Sequence, residues 1–372
     1  MANLSINEHQ DVSRFCIRTP RQLAERVVKV GSTEHVIEGL LPKQSLSLLI
    51  GDSGLGKSPF LYQAATALAA GIPFLGRTTR RGRVLYLDCE NGLADVDGIV
   101  SQVSAFLSVC PPDDLRLWNL NDSDAGTPLD SLIKEVAPTW VIIDPLKAFF
   151  PDIERASGDA IKAYQQLRHL MQSYQCSITG VHHLRKPSQR PDESPASLAE
   201  ANFREWFYQA RGPRELINGC DVRFGVDLPR FAGDHTKLLF RGFGRVRGDT
   251  SLMRLVRVLD DDGEPQGFRQ LCGIELLNSA DQQAAYNRLP DQFRFKEAIT
   301  AYGRGDQATT DFLSNCITAG ILRKLEGRRG YEKISLSAEP VPRAVPRMAS
   351  LAHDAGVAGA TALDGPISSM IQ

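Results

Sequence analysis

Residues 46–58, LSLLIGDSGLGKS, constrain this chain more than any other stretch. An apolar run meets a glycine-rich turn, and a helical pattern opens close behind it. Gly51, Gly56, Lys57 and Ser58 fill every fixed place of the spacing G-x-x-x-x-G-K-[ST]. Each residue type has a physical task. Glycine lets successive backbone N–H groups turn inward and form a concavity for anions. Gly51, Asp52, Ser53, Gly54, Leu55, Gly56 and Lys57 are therefore expected to wrap a phosphate chain, with Ser58 and Pro59 at the base of the following helix. Lys57 supplies a cation to the outer phosphates, and the Ser58 hydroxyl is a hard oxygen ligand suited to Mg²⁺. A helix over residues 59–70 adds its positive end. Pro59 suits a first turn, where its missing N–H is not needed. A nucleotide is the ligand implied.

The length of 372 residues suggests two domains, or one large domain with an appendage. A formal net charge of −1 excludes a globally basic protein, so any nucleic-acid surface has to be local. The seven cysteines are scattered and never spaced C-x-x-C, which argues against a zinc site and fits reduced thiols in a cytoplasmic setting. No apolar run approaches the roughly 18 residues of a membrane span, and no membrane partner is expected.

Between about residues 36 and 260, short apolar runs alternate with helical patterns. Strands are expected at 46–50, 83–88, 115–117, 140–144 and 176–182, and helices at 59–70, 94–108, 129–136 and 156–175. That alternation predicts an α/β fold whose mainly parallel sheet is covered on both faces. Residues 186–206 break the rhythm with three prolines and mixed charge, and read as a long loop, of the kind more often functional than idle. Strand-like pieces follow at 222–227, 237–243 and 252–259, with a hairpin-like turn at Asp260–Gly263. Composition shifts near 278. Helices at 295–302 and 306–319 precede two strands, 321–324 and 331–336, around a basic turn, and this is the order of a winged helix. The expected division is an N-terminal segment 1–30, a main domain 31–277, a small winged-helix domain 278–337, and a disordered tail 338–372.

Several polar residues fall at expected strand ends. Asp144 closes the run WVIID, where a carboxylate can hold Mg²⁺ beside the phosphate loop. Glu90 follows RVLYLD and can polarise an attacking water as general base, but Asp88 competes for that role and spacing leaves both open. His182 and His183 end CSITGVHH, where a polar group can report the γ-phosphate, with a solvated loop end or a metal ligand as alternatives. Arg211 and Arg223 are candidates to spread charge over a transferring phosphoryl group from a neighbouring subunit, or are simple surface ion pairs. Arg323, Lys324, Arg328, Arg329 and Lys333 cluster near the basic turn, and residues 288–336 carry nine Lys/Arg against six Asp/Glu. That mild bias suffices for phosphate contacts, although winged helices also bind proteins.

Taken in order, GLLPKQSLSLLIGDSGLGKS, LYLDCEN, WVIIDPLKAFF, CSITGVHHLRKP and ARGPRELINGCDVRF resemble the RecA-like ATPases of the RepA hexameric replicative helicase group, relatives of DnaB and KaiC. The resemblance spans about residues 36–260. It implies a RecA-like P-loop NTPase fold that binds ATP and Mg²⁺, with Lys57 and Ser58 on phosphates and metal. It further implies Glu90 as catalytic base and Asp144 as the second metal-side carboxylate. His182 falls in the strand-end motif that couples nucleotide state to a DNA-facing loop. Arg223 matches the inter-subunit arginine, with Arg211 second. The 186–206 loop would face the channel of a homo-oligomeric ring around single-stranded DNA, and the winged helix would offer a duplex contact. A DNA helicase is the activity implied. An ATP-switched DNA-binding regulator or loader, and a KaiC-like signalling ATPase without nucleic acid, are the alternatives.

Overall fold

A computed structural model describes residues 19–30, 34–122, 126–185, 196–229, 235–244, 250–277, 279–325 and 330–334. The segment 1–18, residues 186–195 of the proline-rich stretch, the basic turn at 326–329 and the tail from 335 lie outside the described residues.

The chain begins with α1 (Pro20–Val30) and a short hairpin, β1 (His35–Ile37) and β2 (Leu41–Pro42). Strand–helix alternation then sets in through β3 (Leu46–Gly51), α2 (Lys57–Ala70), β4 (Val84–Asp88), α3 (Leu93–Phe106), β5 (Leu115–Asn119) and α4 (Leu129–Val136). It continues through β6 (Trp140–Asp144), α5 (Ser157–Tyr174), β7 (Ser177–His183), α6 (Arg214–Asn218) and β8 (Val222–Asp227). An antiparallel meander follows, made of β9 (Lys237–Gly244), β10 (Met253–Leu259) and β11 (Pro265–Gln270). The C-terminal part contains α7 (Ala280–Arg288), β12 (Gln292–Phe293), α8 (Phe295–Tyr302), α9 (Asp306–Thr318), β13 (Leu322–Lys324) and β14 (Tyr331–Lys333).

Nine strands make one sheet in the order β11-β10-β9-β8-β3-β7-β6-β4-β5. From β5 to β8 in that row all neighbours are parallel, and from β8 to β11 all are antiparallel. Every residue of β3, β4 and β6 is buried, which is why these strands read as unbroken apolar runs rather than as alternating ones. Helices α2 and α3 pack on one face around Phe60, Leu68 and Val100, and α4, α5 and α6 on the other around Ile133, Leu167 and Leu216. This mixed α/β architecture fits a P-loop NTPase.

Eleven of the fourteen residues of α2 are buried, because the antiparallel wing wraps it. The Phe60 ring lies 5.3, 5.1 and 5.5 Å from those of Phe74, Phe240 and Phe268. Gln63 donates through Nε2 to the Phe268 carbonyl at 2.9 Å and accepts the Phe268 N–H at 2.7 Å. One side chain of α2 thus satisfies the outward backbone groups of the edge strand β11, a position that would otherwise invite pairing. Sequence patterning stops at residue 259 and misses β11, whose only large apolar residue is Phe268. The turn at Asp260–Gly263 lies where expected and leads into it.

The expectation of one loose loop over 186–206 needs correction in its second half. Leu198, Phe203, Trp206 and Phe207 are buried against β8 and β9. Trp206 donates to Asp227 at 2.7 Å, and a Cβ on Gly225 would sit 2.6 Å from its ring, so only glycine fits under it. Arg241 stacks 3.5 Å over the Phe203 ring centroid. Prolines and charges dominate the composition of the stretch and conceal aromatics spaced to share one face.

After residue 277 a separate cluster forms around Leu289, Phe293, Phe312, Leu313, Ile321 and Leu322. Its three strands pair antiparallel in the order β12-β14-β13, beneath α8 and α9. Among the described residues, no helix is long and apolar enough to cross a membrane.

The wrapping of α2 has a measurable consequence. Phe60→Ala removes a ring that joins α2 to the wing, and is expected to lower stability by about 3–5 kcal/mol in denaturant unfolding. A loss below about 1 kcal/mol would show that the wing does not share the core of the parallel strands.

Candidate active site

Parallel strands place their carboxyl ends along one edge of the sheet, and the loops that follow them converge there. Gly51 at the end of β3 pairs in register with His183 at the end of β7, and Asp88 of β4 with Asp144 of β6. Because β7 lies between β3 and β6, the histidine-bearing strand is the immediate neighbour of the phosphate-loop strand.

The loop is tight at two glycines. A Cβ on Gly51 would stand 2.8 Å from the Val226 carbonyl oxygen, and Gly56 holds φ at 83° where it starts α2. Asp52, Ser53 and Gly54 are exposed, whereas Leu55 turns inward. The helix begins at Lys57, two residues earlier than expected, so Ser58 and Pro59 occupy its first turn. No side chain caps that end and no acidic residue stands in its first turn, which leaves backbone N–H groups for an anion. Lys57 is 6% exposed. Its Nζ donates to the Asp52 carbonyl at 2.7 Å and lies 3.4 Å from His183 Nδ1. Burial pushes the Lys57 pKa down, against the pull of Asp144, Glu90 and Asp52.

Asp144 is 1% exposed. Its Oδ2 accepts the Tyr86 hydroxyl at 2.7 Å, while Oδ1 is buried with no hydrogen-bond partner. Burial pushes the carboxyl up to about 6, with Ser58 and Tyr86 opposing and Asp88 and Glu90 adding to the push. An orphaned buried carboxylate oxygen with a serine hydroxyl nearby is a pair of hard oxygen donors, and it fits Mg²⁺. Among the described residues no set of three or more His, Cys, Asp or Glu forms a metal cage.

Asp88 and Glu90 differ sharply in their hydrogen bonds. Asp88 accepts from the backbone N–H groups of Glu90 and Asn91 at 3.1 and 2.9 Å, and from Tyr62 and the Asn91 amide at 2.8 and 2.9 Å. With both oxygens engaged, Asp88 acts as the brace of the turn. Glu90, carried on that turn, is exposed and close enough to influence Lys57, His183 and Asp144 electrostatically.

The two histidines face different partners, and it is not the expected His182 that comes near Lys57. Successive strand residues face opposite sides. It is His183 that meets Lys57, while His182 is buried on the other side and lies 2.6 Å, through Nε2, from the Arg211 carbonyl. Burial pushes both imidazole pKa values down, with Lys57 adding to the effect at His183. Arg223, expected between subunits, is buried within this chain. It is 4% exposed, donates to the Ile217 carbonyl at 2.6 Å and lies 4.9 Å over Phe243. Arg211 has a side chain 61% exposed and pairs with Glu154 at 2.9 Å. Residues 183–185 and 209–211 pair as a short antiparallel stem that closes the segment between them.

Sequence reasoning missed Tyr62, Tyr86 and Asn91. The only available signal was a tyrosine inside an otherwise aliphatic strand, Tyr86 in VLYLD.

A family model described as an AAA domain matches residues 20–189. The matched stretch contains the phosphate loop, both carboxylate-bearing strand ends and the histidine pair, and it supports a P-loop ATPase. No curated protein compared with the chain matches it.

The Asp144 shift sets a pH signature in the nucleotide-free protein. A carboxyl held at about 6 when folded takes up its proton more readily than when unfolded, so stability falls as pH rises from about 4 to 6. Asp144→Asn is expected to flatten that slope and to leave the apo protein about 1–3 kcal/mol more stable than wild type at neutral pH, measured by thermal or urea unfolding. Parallel pH–stability curves for the two proteins would contradict the shift.

Proposed function

We propose that this chain is an ATP-hydrolysing, RecA-like motor of the RepA helicase group that acts on DNA as a homo-oligomeric ring. The observation that carries the ATPase reading is the convergence of Lys57, His183, Asp144 and Glu90 at the ends of four neighbouring strands. Amides of the loop and of the first turn of α2 receive the phosphates, and Lys57 exchanges the Asp52 carbonyl for phosphate oxygens. Ser58 and Asp144 Oδ1 are the residues that would hold Mg²⁺, which neutralises charge on the β- and γ-phosphate oxygens when bound. Glu90 accepts the proton of the attacking water while the bond from the γ-phosphorus to the bridging oxygen of ADP breaks. His183 senses the γ-phosphate beside Lys57. The stem at 183–185 and 209–211 passes the change to the segment it closes, the candidate contact for single-stranded DNA.

A ring places each nucleotide beside the next subunit. Arg211 suits the subunit-bridging role better than Arg223, since its side chain is exposed. For duplex DNA the reading rests on the helix–helix–hairpin arrangement of α8, α9, β13 and β14, a winged-helix order. The basic bias there is partly engaged already, because Arg323 pairs with Glu332. The same small module favours a second reading, an ATP-switched DNA-binding regulator.

Steady-state hydrolysis tests the proposal. ATP turnover is expected to rise several-fold with single-stranded DNA, and Lys57→Ala to lower it on the order of 10²-fold. Turnover indifferent to every form of DNA would overturn the motor and leave a signalling ATPase. Duplex binding without single-strand stimulation would favour the regulator.

A further inference from the structure

The chemistry above leaves two tyrosines unused. Tyr62 of α2 and Tyr86 of β4 are fully buried and stacked, with ring centroids 3.9 Å apart and planes within 5°. Each hydroxyl donates to a different carboxylate, Tyr62 to Asp88 at 2.8 Å and Tyr86 to Asp144 at 2.7 Å. Those two carboxylates end adjacent strands in register. A buried phenol has to find a partner, but nothing obliges two of them to stack and diverge onto the two strand-end carboxylates beside a phosphate loop. Burial, reinforced by the carboxylates, holds both phenols far above their ordinary pKa, so they stay protonated and donate to the carboxylates.

We propose that the stacked tyrosines are positioning residues for nucleotide chemistry, Tyr86 orienting Asp144 toward the metal and Tyr62 holding the Glu90 turn through Asp88. This rests on the ATPase reading. With Oδ2 engaged by Tyr86, Asp144 has one oxygen left, the buried Oδ1, and the other side chain that acts on this carboxyl is Ser58, the second residue expected to hold the metal. A carboxylate free to rotate about its last bond would present either oxygen; this one presents Oδ1. Partners that orient a metal ligand without touching the ion commonly govern metal affinity. Tyr62 works on the other arm. Asp88 grips the N–H groups of Glu90 and Asn91 through Oδ1 and holds the Tyr62 hydroxyl on Oδ2. Since Tyr62 rides on the same helix as Lys57, the phosphate-binding helix, the base-bearing turn and the Asp144 strand are joined by two rings and five oxygens.

Tyr86→Phe and Tyr62→Phe keep both rings and remove one hydroxyl each, so the test separates positioning from packing. A fluorescent ADP analogue would be titrated onto each protein in EDTA and again with increasing Mg²⁺, and kcat measured alongside. Tyr86→Phe is expected to bind nucleotide as wild type does in EDTA, yet to need about tenfold or more Mg²⁺ to reach tight binding. Tyr62→Phe is expected to keep the wild-type Mg²⁺ requirement and lose about tenfold or more in kcat. An unchanged Mg²⁺ requirement in Tyr86→Phe, or equal losses by both variants in every readout, would overturn the proposal. If Tyr86→Phe fails to fold, the kcat-only loss in Tyr62→Phe still decides its own arm. Wild type that binds no nucleotide, with or without Mg²⁺, would remove the ATPase reading itself, an outcome distinct from failure of the tyrosines.

Discussion

Lys57 and Asp144 are both held inside the protein at one edge of a parallel sheet, and neither is fully compensated there. Burial works against the charge of each, lowering the pKa of the lysine and raising that of the acid. What the lysine has is a backbone carbonyl and an imidazole nitrogen; what the acid has is the Tyr86 phenol and the pull of the Ser58 hydroxyl. A buried charge left partly unsatisfied is costly, and folded proteins keep such groups where a ligand completes them. In the proposed function, phosphate oxygens would answer the first and a hard cation the second. The remaining architecture follows from keeping these groups aimed at one place. Strands in register set the spacing, α2 is clasped by the antiparallel wing, and Gln63 ties that helix to the outer edge of the sheet.

Most of the parallel half was legible because its strands are buried on both faces and therefore unmistakably apolar. Leu46–Gly51 carries no charged residue, and Val84–Asp88 and Trp140–Asp144 carry theirs only at the carboxyl end. The wing was harder. The β11 strand, Pro265–Gln270, has little periodicity of its own because it is recognised by Gln63, a residue two hundred positions away in sequence. The packed half of the 186–206 segment was hidden for a related reason, since its aromatics gain their meaning from a glycine, Gly225, on a strand not yet reached.

Within the site, the phosphate loop was readable because its spacing is itself the geometry. Three assignments were beyond the sequence. Choosing between Asp88 and Glu90 required knowing which oxygens were already hydrogen-bonded. Choosing between His182 and His183 required the phase of the strand, which a one-residue shift inverts. Arg223 was singled out by the resemblance, yet it is buried near the start of β8 with its guanidinium on a phenylalanine ring. Hydrogen bonds and packing that no window of sequence contains changed the reading of the histidines and of Arg223, and left that of Glu90 as it was.

The most direct test of the central claim, that Lys57 binds the nucleotide and Glu90 does the proton chemistry, is a single-turnover comparison of wild type, Lys57→Ala and Glu90→Gln with radiolabelled ATP. Binding and cleavage would be followed separately in the same samples. The account predicts that Glu90→Gln binds ATP as tightly as wild type but cleaves it at least about 10²-fold more slowly, while Lys57→Ala fails at binding. Cleavage by Glu90→Gln at the wild-type rate, or undiminished binding by Lys57→Ala, would contradict it.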